Sequence, residues 1–308
     1  MEADWTLIAV RFALYADLGL LFGLPLFCIY GLRDGRAQLR DAIRPGPVAA
    51  FLAAPGVAVS TFGFAAMTAS MLAVPLAEVD RATFEMLAFE TAYGWAFLAR
   101  QAALLIVLGA SIAMAWRPGA ALAVIAAGAG VALSTLAWGG HAGATEGGMG
   151  YLHLGSDLLH LWAAGLWLGA IAALGILVVR AREVLALRRA QRALAGFSTA
   201  GTLAVGTLIV TGVINSLILV GFDNMLRLVS DLYGWLLLLK LLLFGVMLAI
   251  AAANRFWLTP AFDGALADSE PGRAARALKA SLAVEAAAAL AILAIVGWLG
   301  TLSPPAAA

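Results

Sequence analysis

The chain has 308 residues, of which 63% are hydrophobic and 12% are charged, and its formal net charge is +1. Soluble domains carry roughly 45–50% apolar and about 25% charged residues, so this composition excludes a soluble enzyme with a simple membrane anchor. Apolar stretches of about 20 residues or more recur from end to end, which is the length that a helix needs to cross a bilayer. The stretches do not alternate as β-barrel strands do. The sequence therefore predicts an all-α, polytopic membrane bundle.

We predict eight membrane-spanning helices in a single transmembrane domain that covers residues 1–308. The first apolar stretch follows acidic residues and is too long for a signal peptide, so we expect it to remain as a helix. Pro118, Pro260 and Pro304 mark breaks between or after the spans. The predicted spans cover residues 6–32, 48–75, 94–116, 119–138, 153–179, 197–221, 234–257 and 280–302.

The distribution of basic residues predicts the orientation of the chain. Most of the 19 lysines and arginines fall in one alternate set of loops, whereas the other set holds Arg81 and Arg227. The positive-inside rule then places both termini outside. The outer segments are rich in acids, which would concentrate cations near an entrance; acids also accumulate simply where bases are excluded. The near-neutral net charge gives no indication of nucleic-acid binding.

Two patterns predict how helices lie and pack. Residues 76–92 have the character of an amphipathic helix on the outer surface. The pairs Gly19/Gly23 and Gly165/Gly169 have the small-xxx-small spacing that allows close helix contacts, in spans one and five.

All the histidines of the chain lie within residues 138–179, a Gly-rich stretch followed by a long apolar helix. Within that helix, His153, Asp157 and His160 are spaced to share one face. Imidazoles gathered in one outer region indicate a late transition-metal site. Seven helical residues rise about 10 Å, so we expect His141 to meet His153 at the mouth while His160 lies deeper. The alternative for His160 is a buried hydrogen-bonding role.

Methionines extend this hypothesis toward copper. Met67 and Met71 are one turn apart near the outer end of span two, and Met149 lies in the histidine-bearing stretch. Thioethers are soft ligands that suit Cu(I), although a methionine pair in a membrane helix also serves as packing. The single cysteine, Cys28, excludes a multi-thiolate site. The predicted metal-binding set is His141, His153, His160, Asp157, Met67, Met71 and Met149.

Charges inside the spans are costly unless they are paired, so we expect cross-helix pairs between acids and bases. The candidates are Asp17 or Asp157 with Arg100 or Lys240. Thr211 and Asn215 of span six are expected to line the same cavity, and the role of Glu285, nearer the inner side, stays open.

Several motifs in spans five to seven together resemble a known family. They are the Thr-Gly-x-x-Asn of residues 211–215, the Tyr-Gly of residues 233–234, Lys240, the Asn-Arg pair of 254–255 with Pro260, and HLWAAGLWLGAIAAL at 160–174. The combination resembles the copper resistance protein D (CopD) family of bacterial inner-membrane proteins. One departure is Asp231, where the family commonly has Thr.

The resemblance implies an eight-span inner-membrane protein that works in copper tolerance or uptake, beside a separate periplasmic copper carrier of the CopC type. With the residue analysis, it favours a copper transport or homeostasis protein that binds Cu(I) or Cu(II) on its periplasmic side and moves it across or into the membrane, without enzymatic activity. Two alternatives remain open at this point. One is a b-type cytochrome, for which only His160 lies well inside a span; the other is a module that docks a copper carrier without transporting.

Overall fold

A computed structural model describes six stretches of the chain, residues 4–31, 36–145, 147–181, 183–224, 228–267 and 272–307. These stretches are mostly helical and contain no β-strand. They hold eight helices that are long and apolar enough to cross a membrane, which confirms the predicted class of fold. Glu2, Glu146 and Arg227, which entered the charge count for the outer surface, lie outside the described residues.

The eight long helices, here called spans one to eight, agree with the predicted ones in number and order. They are Trp5–Tyr30, Pro45–Leu72, Ala92–Ala113, Pro118–Gly139, Gly147–Arg180, Val184–Val220, Leu232–Leu266 and Gly272–Leu299. The described residues between the spans form shorter helices, which are Arg36–Ile43, Leu76–Glu78, Arg81–Glu90 and His141–Ala144, and Pro305–Ala307 follows span eight.

Span five begins six residues earlier than the sequence suggested. It starts at Gly147, whose positive φ of 68° is a left-handed conformation that glycine adopts at little cost. From there a single helix runs to Arg180 and includes the stretch that was expected to be a Gly-rich loop. His153 consequently lies in the second turn of the helix rather than at its first residue.

The sequence predicted that the helix of span seven ends before Pro260, and this prediction is wrong. Span seven continues past this proline because Asn254–Leu258 form a π-helix, which is followed directly by the helix Thr259–Ala267. The hydroxyl of Thr259 donates to the carbonyl of Asn254 at 2.7 Å. The wider turn thus accommodates a residue that has no N–H to donate.

Span one is the centre of the bundle, since it packs against spans two, four, five and eight. Its approach to span five is the closest, and it depends on glycine. A Cβ added at Gly23 would lie 2.7 Å from the Cα of Gly169, and one added at Gly19 would lie 3.1 Å from Leu168. The small-xxx-small prediction is therefore confirmed, with each glycine pair facing the other.

Spans five to eight form the second half of the bundle as two packed pairs. Span six packs on span five, span seven packs on span eight, and spans five and eight also contact each other. We call the end of the bundle that holds Trp5, His141 and Leu299 the histidine face, and the end that holds Arg117, Arg180 and Arg255 the arginine face. The indole rings of Trp5 and Trp298 lie 5.4 Å apart, which joins the two ends of the chain at the histidine face.

The surface helix predicted within residues 76–92 is confirmed as Arg81–Glu90. Asp80 caps it by accepting from the Thr83 amide at 2.8 Å and from the Thr83 hydroxyl at 2.9 Å. Phe84 of this helix packs edge-on against Phe64 of span two at 5.0 Å, and Phe64 stacks on Phe97 of span three at 4.4 Å. An aromatic cluster therefore holds the helix onto the histidine face.

Candidate functional site

His141 and His153 are joined at the histidine face by one threonine. The hydroxyl of Thr145 donates to the carbonyl of His141 at 3.1 Å and lies 2.8 Å from Nδ1 of His153. When the hydroxyl gives its single proton to the carbonyl, Nδ1 of His153 is the donor in the second bond. In that tautomer Nε2 of His153 keeps its lone pair, which is the form in which imidazole binds a metal.

His160, two turns further along span five, repeats this arrangement. The hydroxyl of Thr211 donates to the carbonyl of Thr207 at 2.6 Å and lies 2.8 Å from Nδ1 of His160. By the same reasoning, Nδ1 of His160 donates to Thr211 and Nε2 keeps its lone pair. A partner on the other ring nitrogen fixes the tautomer and orientation of a ligating histidine, so Thr145 and Thr211 are suited to that task.

The surroundings of His141 favour its neutral form. Its Nε2 lies 3.4 Å from the carbonyl of Leu299, at the end of span eight. Burial lowers the pKa of His141; the bond to Leu299 opposes this shift and the nearby charge of Arg11 adds to it. A neutral imidazole is the form that coordinates a metal ion.

The histidines do not form one metal centre, because His160 lies apart from His141 and His153. Within the described residues, no three His, Cys, Asp or Glu side chains come together in a way that could hold a metal ion. Asp157, between the two histidines of span five, accepts from Nδ2 of Asn215 at 3.4 Å. Thr211 and Asn215 were expected to line one cavity, but neither is among the residues that line the cavity at His160. The spacing expected from the helical rise thus separates the mouth, at His141 and His153, from the deeper His160.

The three candidate methionines do not join the histidines in a common cavity. Met71 is 61% exposed and Met149 is 55% exposed, although Met149 is one helical turn before His153. Met67 lines a small cavity of about 40 Å³ that Arg11 and Arg100 also line. The structure therefore places the thioethers around the histidine face and leaves their part in metal binding a prediction.

The buried charges of the described residues form no contact ion pair with one another, and Oδ2 of Asp17 has no hydrogen-bond partner. Arg100 donates to the hydroxyls of Ser60 at 2.5 Å and Thr135 at 3.3 Å, so its expected pairing with an acid is wrong. In the part of the chain that the structure describes, the ion pair within 4.0 Å is Arg81 with Glu85, on the surface helix. Lys240 and Asp157 influence each other at longer range, and the charge of Lys240 also acts on His160.

Two cavities lie among spans five to eight, and the one nearer the histidine face also reaches spans one and four. The His160 cavity, of about 410 Å³, is lined by His160, Lys240 and Tyr15 and occupies the half nearer the histidine face. The Glu285 cavity, of about 480 Å³, is lined by Glu285, Asn254 and other residues of the half nearer the arginine face.

The two cavities meet at Trp167 and Ile171, the two residues that line both. Trp167 is 5% exposed and Ile171 is 4% exposed. The indole ring of Trp167 lies 6.0 Å from the ring of Phe244 in span seven, in an edge-to-face arrangement. We call Trp167 and Ile171 the Trp167 partition, because these side chains separate one cavity from the other.

Sequence reasoning found His160, Thr211 and Lys240 but missed two parts of the site. Thr145 was missed because its contact with His153 depends on how the segment before span five folds. The Trp167 partition was missed because a tryptophan in an apolar helix is indistinguishable from core packing. One signal was available, since residues 153, 160 and 167 of span five are spaced by seven and share one face.

The fold and this site define the chain as a multi-pass helical membrane protein with ionisable residues buried along one set of helices. The chain belongs to the copper resistance protein D family. The family model described as "Copper resistance protein D-like, N-terminal domain" matches residues 1–151, and the model described as "Copper resistance protein D" matches residues 191–299. The resemblance seen in the motifs is therefore confirmed.

Two relatives give the extent of the similarity. The chain is 42% identical over 305 residues to "Copper resistance protein D" of Pseudomonas syringae pv. tomato, which covers 96% of each chain. It is 35% identical over 128 residues to "Inner membrane protein YebZ" of Escherichia coli (strain K12), covering 41% of this chain and 42% of that one. No solved structure matches. Membership of the family supports a role in copper resistance.

Proposed function

We propose that this protein is a bacterial inner-membrane copper transporter that takes up copper on the periplasmic side and moves it through spans five to eight. The observation that carries the proposal is the pair of cavities separated by the Trp167 partition, with His160 facing the first of them. Spans five to eight line both cavities, one on each side of the partition. The cavities provide space for an ion toward both faces of the bundle.

Entry begins at the mouth, where His141 and His153 lie together. The free Nε2 of His153 offers copper a neutral nitrogen ligand, and exposed Met149 supplies a thioether one turn away. Met67 and Met71 provide further soft ligands around the same face. Copper would then pass to Nε2 of His160, with Asp157 between the two histidines as the compensating negative charge.

Lys240 limits how much charge the His160 cavity can hold. Its ammonium lines the same cavity as His160, so it disfavours a cation there unless Asp157 is ionised. This arrangement favours one copper ion at a time and its release toward the second cavity. A conducting site must bind weakly enough to release its ion.

The direct test measures copper in the purified protein and in cells. Protein loaded with copper and washed should retain metal by elemental analysis, and His160→Ala should lower the retained amount and change cellular copper and copper tolerance. A Soret band in the purified protein would instead support the cytochrome alternative. Retention of no copper, together with an unchanged phenotype for His160→Ala, would refute the transport proposal.

A second candidate function is the docking of a periplasmic copper carrier of the CopC type. The observation that favours it is the surface helix Arg81–Glu90, where Met86 is 47% exposed and Phe89 is 56% exposed. An apolar strip beside the mouth is suited to contact with another protein. Crosslinking from residue 86 to an added carrier would support docking, and a crosslink that is no stronger than one from exposed Phe51 in span two would contradict it.

A further inference from the structure

Glu285 is a buried carboxylate that the copper route described above does not use. It is 4% exposed and accepts a hydrogen bond from Nδ2 of Asn254 at 2.8 Å. The carbonyl oxygen of the Asn254 amide in turn accepts from the hydroxyl of Ser281 at 2.6 Å. The carboxylate is thus held by a neutral amide, which is itself oriented by a hydroxyl. No positive side chain of the described residues lies within ion-pair distance of it.

The backbone that presents Asn254 to Glu285 is unusual. Asn254 is the first residue of the π-helix in span seven. Single π turns inside α-helices occur frequently at functional sites. Here the wider turn directs the side chain of Asn254 toward span eight, and the hydroxyl of Thr259 donates to the backbone carbonyl of Asn254.

The groups that face Glu285 across its cavity come from every neighbouring span. Span six contributes the hydroxyls of Ser198 and Thr202, and span five contributes apolar residues of the Trp167 partition. Span seven contributes Arg255, whose guanidinium donates to Thr202 at 2.6 Å and lies over the Phe256 ring. Arg255 is exposed at the arginine face, so it marks the mouth of the cavity rather than a partner of Glu285.

The chemistry of the cavity wall limits what Glu285 can bind. The described residues that line it supply oxygen and nitrogen atoms of Glu, Asn, Ser, Thr and Arg but no imidazole and no sulfur. Copper(I) prefers soft ligands and would find none there. An isolated buried carboxylate without a cation partner is instead stabilised by a proton. Acidic side chains that line cavities inside membranes are commonly proton relays.

We propose that Glu285 is a proton-binding site whose charge controls the passage of copper through the second cavity. The inference rests on the proposed transport function. In the ionised form, one negative charge beyond the Trp167 partition attracts copper out of the His160 cavity. In the protonated form, this attraction is absent. The proton comes from water at the arginine face and returns there, so that Glu–COOH gives Glu–COO⁻ and H⁺ without any other reactant.

Proteoliposomes provide the test, with copper(I) uptake followed as the pH of the compartment facing the arginine face is lowered from neutral to mildly acidic. Wild-type uptake should slow several-fold, because protonation of Glu285 removes the attracting charge. Glu285→Gln, which keeps the acceptor for Asn254, should be slow at both pH values and change less than twofold. Glu285→Asp should regain the pH dependence, since it restores a titratable group.

The control is Glu183→Gln, the same substitution at an exposed site of the arginine face, which should leave the wild-type pH dependence intact. Infrared difference spectra of the purified protein between the two pH values give an independent readout. A carboxyl carbonyl band should appear on acidification and disappear in Glu285→Gln. This band does not require copper movement, so it tests proton binding even if a variant transports poorly.

The outcomes separate the two proposals. If the wild type takes up no copper, the transport proposal is refuted, and the control of copper by Glu285 is refuted with it. If the wild type takes up copper but Glu285→Gln keeps the full pH dependence, or the infrared band persists in Glu285→Gln, the inference about Glu285 is refuted and transport stands.

Discussion

At the scale of single residues, two threonines determine what the histidines of span five can offer. The hydroxyls of Thr145 and Thr211 lie 3.1 Å and 2.6 Å from backbone carbonyls and 2.8 Å from Nδ1 of the adjacent imidazole. A hydroxyl that gives its proton to the carbonyl accepts from Nδ1, and this favours the tautomer with the proton on Nδ1. Without such a partner, an imidazole divides its population between tautomers and orientations.

Thr211→Val should weaken copper binding to the purified protein. Loss of a hydrogen-bond partner behind a ligating histidine typically costs about 10–100-fold in metal affinity. Competition with a chelator of known affinity measures the change. Thr68→Val is a matched control, because Thr68 is also buried and donates to the carbonyl four residues earlier but has no bond to a histidine. Equal losses in both variants would contradict a specific role for Thr211.

The residue scale also shows what the sequence could and could not provide. His160 and Lys240 could be selected because charged or ionisable groups within apolar helices are rare. The bond between Thr145 and His153 could not be predicted, since it depends on the fold of eight residues before and within span five. Arg100 was expected to pair with an acid, but its guanidinium donates instead to hydroxyls of spans two and four.

At the scale of helices, the contact between spans one and five depends on the absence of side chains. Gly23→Ala should destabilise the protein because its Cβ would lie 2.7 Å from the Cα of Gly169, and two helix backbones must separate to relieve that overlap. Overpacking of this kind costs about 1–3 kcal/mol. Thermal unfolding in detergent measures the effect. Gly175→Ala in span five is the control, since its Cβ would meet no atom within 4 Å; an equal loss there would contradict the explanation.

The surface helix Arg81–Glu90 should depend on its cap in a pH-sensitive way. Hydrogen bonds from the Thr83 amide and hydroxyl lower the pKa of Asp80. A lowered folded-state pKa means that the stabilising contribution is complete above the ordinary Asp range and is lost as the pH falls through the lowered value. At neutral pH, hydrogen exchange of residues 81–90 should be the same in the wild type and in Asp80→Asn. In the wild type, the opening of this helix should rise above its neutral-pH level only in strong acid.

Asp80→Ala removes the acceptor altogether and should increase exchange of residues 81–90 at every pH, while exchange in span one should not change. Unchanged protection of residues 81–90 in Asp80→Ala would contradict the role of the cap.

The existence of this helix was predictable from its amphipathic pattern and from the Asp at its start. The π-helix in span seven was not, because Pro260 predicted a chain break and only the packed structure shows how the chain continues.

At the scale of the whole molecule, the eight spans were predictable because their apolar length alone specifies them. The cavities were not predictable, because they depend on how two packed pairs of helices meet. The sequence of a single helix does not specify that packing. Spans five to eight each contribute residues to both cavities, and the division falls at the same depth in all of them. The Trp167 partition is therefore a property of the assembled bundle.

Trp167→Ala should join the two cavities and increase copper movement through proteoliposomes along its gradient. The substitution removes the largest side chain of the partition, and a stability cost of about 3–5 kcal/mol is expected for truncating a buried tryptophan. Copper flux per folded protein, corrected by size-exclusion yield, is the measurement. Trp235→Ala, at a position in span seven that is 58% exposed, is the control. A decrease in flux for Trp167→Ala alone would contradict a barrier role.

Span five carries His153, His160 and Trp167 at intervals of seven residues within one unbroken helix. Each interval corresponds to about 10 Å of rise, far beyond the reach of a single metal–nitrogen bond. On the proposed transport route, an ion therefore cannot be shared between His153 and His160, and His153 must release it before His160 binds it. Insertion of one residue between His153 and His160 would turn the lower part of the helix by about 100° relative to the upper part. The insertion would turn His160 away from the face it shares with His153. It would therefore interrupt the proposed transfer of copper between the two histidines without removing either side chain.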